Sequence, residues 1–87
     1  MANVFIPNAL RKYTGGEDKA QVLGETLGAV IENLEIAFPG IRAQLIEEND
    51  LIPGLAAIID GEATVEGLLQ KLKADAEIHF LPAISGG

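Results

Sequence analysis

Chemistry in this 87-residue sequence concentrates at its far end, where LPAISGG closes on Gly86 and Gly87. Taken as a chain terminus, that segment presents a carboxylate on a residue with no Cβ to hinder attack at its carbonyl carbon. A free carboxylate is a poor electrophile, so acyl transfer from it requires a leaving group such as AMP, taken from ATP. Gly86 would let the segment thread a channel too narrow for side chains, and Pro82 fixes the direction in which it leaves the folded part. Both features suit a tail that another protein's active site handles.

The other reactive side chains offer less. His79 is the single histidine, and no serine or carboxylate is spaced to form a catalytic set with it, so it reads as a solvent-facing strand residue. Glu47, Glu48 and Asp50 lack the alternating ligands and turn glycine of a calcium loop and read as a solvated loop. Gly15 and Gly16 are not followed by the lysine and hydroxyl residue of a phosphate-binding loop, and read as turn residues. Cysteine is absent, which excludes disulfides, thiolate metal sites and a thiol that carries sulfur on this chain. No nucleophile, base and pocket set can be assembled here, so a stand-alone enzyme is disfavoured.

Thirteen acidic residues face six basic ones, a formal charge of -7. Most of this charge serves solubility, and the net field would repel a polyanion, which disfavours nucleic-acid binding and would steer the chain toward a basic partner. MANVFIPNAL lacks the basic start and long apolar stretch of a signal peptide, and no apolar run is long enough to span a bilayer, so a cytoplasmic location without membrane contact is expected. Apolar residues make up 48% of the chain, enough for one compact core and not two.

These features must be positioned by few elements. Asn3 to Ile6 reads as a first strand stopped by Pro7, and NALRKYTGG as a helical turn into a loop. Asp18 to Leu23 then reads as a second strand, antiparallel to the first. Thr26 is a candidate N-cap for a helix whose Leu27, Val30, Ile31, Leu34 and Phe38 recur on one side, ended by Pro39 and Gly40. Ile41 to Glu48 is expected to add one or two helical turns with Ile41, Leu45 and Ile46 turned inward. Leu55 to Ile59 reads as a strand, Asp60-Gly61 as a hairpin turn, and Glu62 to Val65 as its return. The spacing at 65, 68, 69 and 72 suggests a further turn of helix, weakened by Gly67. Glu77 to Leu81 is the last strand, with Ile78 and Phe80 on one side and His79 and Leu81 on the other.

This order predicts an α+β two-layer domain, a mixed sheet of four to five strands covered on one face by one main helix. Residues 1–82 would form the domain and 83–87 a flexible tail. The uncovered face would leave Phe5 and Leu81 partly exposed, and such residues invite a partner.

The terminal LPAISGG, the helix start GETLGAVIENLE and the early IPNALRKYTGG resemble the β-grasp, ubiquitin-like sulfur carriers of the MoaD/ThiS type. These are related to the small subunit of molybdopterin synthase and to the thiamine-pathway carrier. The last two motifs look most like the carrier that supplies sulfide for cysteine biosynthesis in some bacteria. The resemblance spans the chain. It implies that an E1-like (MoeB/ThiF-type) enzyme, using ATP and magnesium that it holds itself, adenylates the Gly87 carboxylate, after which sulfur transfer gives a thiocarboxylate. No cofactor would reside on this chain. The sulfur would pass to a downstream acceptor, a cysteine synthase-like enzyme or the large subunit of molybdopterin synthase. Gly86, Ile84 and Ser85 would lie along the partner's channel, with Phe5 and Leu81 docking on the activating enzyme. Two alternatives share the tail: a protein modifier, whose activated Gly87 is passed to a lysine, and a synthase small subunit, whose tail completes a partner's active site.

Overall fold

A computed structural model describes residues 1–82. Its strands are β1 (Ala2–Phe5), β2 (Lys19–Val22), β3 (Ile46–Glu47), β4 (Asp50–Leu51), β5 (Leu55–Ile59), β6 (Glu62–Ala63) and β7 (Glu77–Pro82), and its helix α1 is Leu27–Ala37. Short 3-10 segments cover Asn8–Tyr13, Arg42–Gln44 and Gly67–Leu69. The main sheet has the order β2-β1-β7-β5-β6, with β1 and β7 parallel at its centre and the other pairs antiparallel. This is the mixed sheet and single covering helix of a β-grasp domain.

Alternation along β1 and β7 sends Val4, Ile78 and Phe80 to the face that α1 covers, as a period of two requires. There they meet Leu27, Val30, Ile31 and Leu34 of α1, all fully buried, and Ile41 and Leu45 close the same core. Burying each of the larger aliphatic side chains stabilises the fold by about 1.5–3 kcal/mol. Thr26 caps the helix, its hydroxyl accepting a hydrogen bond from the Ala29 N–H at 3.1 Å. The helix ends one residue before Phe38, which is half-buried and takes an extended conformation (φ -135°, ψ 81°). Pro39 explains this, because its ring disfavours the helical region for the residue before it.

The helix start depends on two glycines. A Cβ on Gly24 would lie 2.7 Å from both the backbone nitrogen and Cγ2 of Val30, so the loop can approach the first turn only without one. A Cβ on Gly28 would lie 3.1 Å from the Leu68 carbonyl oxygen, where the segment after β6 crosses the helix. After α1, the Glu35 carboxylate accepts hydrogen bonds from the N–H groups of Gly40 (2.9 Å) and Arg42 (2.8 Å). These backbone donors hold its pKa below the ordinary 4.5, because they favour the charged form.

Two segments depart from the sequence expectation. Ile41, Leu45 and Ile46 do turn inward, but the chain makes a 3-10 turn and then the β3–β4 hairpin instead of continued α-helix. Glu48 and Asn49 form its two-residue turn, both with positive φ (51° and 64°), the geometry that suits the twist of paired strands. Between residues 65 and 72, Gly67 takes φ +58° and limits the helical turn to a 3-10 segment. Leu68 and Leu72 pack on the core, while Val65 and Leu69 stay 96% and 79% exposed.

Candidate functional site

β7 leads straight to the segment on which the sequence places the chemistry. Ile84, Ser85, Gly86 and Gly87 lie outside the described residues, so the site is built from the surface beside the tail's point of departure. Strand parity that buries Ile78 and Phe80 turns His79 and Leu81 to the uncovered face, where Leu81 is 51% exposed. On β1 the same parity turns Phe5 outward, half-buried.

The register then fixes the neighbours. Phe5 pairs with Lys19 on one side and with His79 on the other, and His79 pairs with Ile58, so these four residues form one row across β2, β1, β7 and β5. Leu81 stands in a neighbouring row opposite Ala56. The Phe5 and His79 rings stack at 4.2 Å with 4° between their planes, and the Lys19 ammonium lies 5.6 Å from the Phe5 ring centre. Such a cation over an aromatic face is attracted by about 0.5–1 kcal/mol where exposed.

The sequence puts Phe5 and Leu81 on the open face, and the structure brings both to the wall of one concavity of about 410 Å³, with Pro7, Arg11, Asp18 and His79. Arg11 reaches it from the 3-10 segment after β1. Its Nε donates to the Ile6 carbonyl at 3.2 Å and an η nitrogen donates to Asn8 Oδ1 at 3.3 Å. His79, read from the sequence as facing solvent, is half-buried in the stack on Phe5. Its shared parity with Leu81 placed it on this face. Lys19, Ile58 and Arg11 carried no such signal, because cross-strand register and the course of the 3-10 segment place them.

The surface has an apolar centre, a basic margin and no reacting pair. No described serine, threonine or carboxylate is hydrogen-bonded to His79. Among the described residues no group of three or more histidine, aspartate or glutamate side chains converges to hold a metal ion. Glu47 and Asp50 lie on the two strands of the β3–β4 hairpin, and Asp50 Oδ1 accepts from the Leu51 N–H at 2.8 Å. Gly16 donates its N–H to the Arg11 carbonyl, closing the turn after the first 3-10 segment. No described helix is long and apolar enough to cross a membrane.

Comparison with known proteins gives four matches. A family model described as the ThiS family matches residues 4–87. The sulfur carrier protein CysO of Mycobacterium tuberculosis is 35% identical over 91 residues, covering 97% of this chain and 96% of the relative. Among solved structures, a chain of the Amycolatopsis orientalis BexX/CysO complex superposes with a TM-score of 0.92 at 31% identity, covering all of both chains. The small archaeal modifier protein 1 of Methanosarcina acetivorans superposes with a TM-score of 0.80 at 27% identity, over 99% of this chain and 95% of the other.

Proposed function

The chain belongs to the ThiS family, and on that premise we propose that it is a sulfur carrier whose working atom is the carboxyl carbon of Gly87. One observation carries this reading: the family match runs through residue 87 and so includes the terminal Gly-Gly. In the proposed cycle an E1-like enzyme binds ATP and magnesium. The Gly87 carboxylate attacks the α-phosphorus, pyrophosphate leaves, and an acyl-adenylate forms. Sulfide supplied by the activating system then attacks the acyl carbon, forming the C–S bond as the C–O bond to AMP breaks; AMP leaves with the electron pair, the sulfide proton passes to solvent, and a thiocarboxylate remains on Gly87. This chain contributes the carboxylate, a glycine beside it without side-chain bulk, and the face that holds the enzyme.

That face has a thermodynamic task. Ordering five tail residues costs on the order of 1–2 kcal/mol each in backbone entropy, so insertion of the tail alone gives weak binding. Phe5 and Leu81 supply apolar surface beside the tail's departure, and Ile84 and Ser85 continue the contact along the channel. The partnership in the BexX/CysO complex supports a protein partner for this chain. The downstream acceptor is proposed as a cysteine synthase-like enzyme, on the likeness to CysO, with the large subunit of molybdopterin synthase as the alternative.

Intact mass of the chain purified from its host tests the proposal: replacement of one oxygen by sulfur is expected at the terminus. Likeness to the archaeal modifier supports a second reading, transfer of the activated carboxyl to a lysine of another protein. A ladder of larger covalent adducts, with no thiocarboxylate, would select it.

A further inference from the structure

The charge of this molecule is unevenly distributed, and the unevenness bears on what docks. Overall the chain is at -7, yet Arg11, Lys12 and Lys19, half of its six basic residues, fall within nine positions. The fold brings two of them to the margin of the open face: Lys19 above Phe5 and Arg11 in the wall of the concavity. One carboxylate, Asp18, lines that concavity. Neither cation forms an ion pair among the described residues, whereas Arg42 is paired with Glu32 at 2.6 Å. Arg11 is anchored by two hydrogen bonds to neutral oxygens, which orient the guanidinium while leaving its charge uncompensated. A planar guanidinium held in this way matches a carboxylate with little further loss of side-chain freedom.

Resting on the reading of this face as the surface that meets the activating enzyme, we propose that the enzyme presents a carboxylate beside an apolar side chain: the apolar group enters the concavity against Phe5 and Leu81, and the carboxylate pairs with Arg11 and Lys19. Net charge alone points the other way, toward a basic partner, so the two pictures predict opposite signs. In the local picture Arg11 and Lys19 select the partner, and the surrounding negative field repels acidic surfaces that lack this match.

The test is ATP–pyrophosphate exchange by the activating enzyme at saturating ATP, with the carrier concentration varied. Arg11→Glu and Lys19→Glu are each expected to lower kcat/KM about tenfold at low ionic strength, through KM, with the gap narrowing near 0.15 M salt, where the Debye length is about 8 Å. Asp18→Asn is expected to raise it. Lys73→Glu makes the same charge change in the turn before β7, at the end of that strand opposite Leu81 and Pro82, and should stay within twofold of the unaltered chain. The Lys19 side chain is exposed and donates no hydrogen bond among the described residues, so its variant gives the answer even if Arg11→Glu fails to fold. A gain in kcat/KM on either reversal, no change, or an equal loss with Lys73→Glu overturns the proposal. Absence of exchange with the unaltered chain instead refutes the sulfur-carrier reading, on which the proposal rests.

Discussion

Removing Phe5 and Leu81 from the open face should separate docking from folding. Leu81 is 51% exposed, so a partner that covers it buries the remaining half of a side chain whose full burial is worth about 1.5–3 kcal/mol, or about 1 kcal/mol. Phe5 is half-buried and offers a similar increment. Leu81→Ser with Phe5→Ser should therefore weaken binding by about 2 kcal/mol, or roughly 30-fold in Kd. The fold loses less from Leu81 than from Phe5, since Phe5 also holds the stack with His79. Isothermal titration of each variant against the activating enzyme measures the first quantity, and thermal unfolding followed by circular dichroism measures the second. Leu81→Ser alone is expected to cost about fivefold in Kd for about 1 kcal/mol, with little change in Tm. A double variant that still melts cooperatively and binds within twofold of the unaltered chain would refute the assignment of this face.

Two further outcomes follow from the geometry and a third from the proposed mechanism. Gly24→Ala forces a Cβ to 2.7 Å from the Val30 backbone nitrogen; the resulting shift should cost about 1–3 kcal/mol, read as a lower urea midpoint. Glu35 contributes stability that is present above its unfolded pKa and lost as pH falls through its lowered folded value, because the unfolded chain binds the proton more tightly. Urea midpoints measured from pH 7 down to pH 2 should therefore decline less steeply for Glu35→Gln than for the unaltered chain. Deleting Gly87, or extending the chain beyond it, should abolish adenylate formation in the exchange assay while the unfolding transition stays in place; normal exchange by either variant would count against a carboxyl-centred mechanism.

Much of the fold was legible because local and global preferences agree. The α1 stripe is buried at Leu27, Val30, Ile31 and Leu34, and Asp60-Gly61 forms the expected turn, with φ of 50° and 87° between Ile59 and Glu62. The β3–β4 hairpin was hidden because it uses the same positive-φ geometry at Glu48 and Asn49, where glutamate gives no turn signal. Apolar spacing between 65 and 72 was met only by a single 3-10 turn, Gly67–Leu69, because one left-handed glycine, Gly67, stops the helical phase from running on to Val65 and Leu72. Parity alone placed Phe5 and Leu81 on the open face. The His79 stack, the position of Lys19 and the approach of Arg11 depend on which strands pair and in what register, and no local pattern carries that information.

Pairing β7 in parallel with β1 also governs when the molecule can become useful. The middle strand of the sheet follows every other strand in the chain, so during synthesis β1 and β2 must wait without their inner neighbour until nearly the whole domain has been made. A nascent or prematurely stopped polypeptide has neither a closed core nor an assembled open face. In the proposed cycle maturation and competence thus coincide: the activating partner would have nothing to grip until the strand that bears Leu81 has been translated.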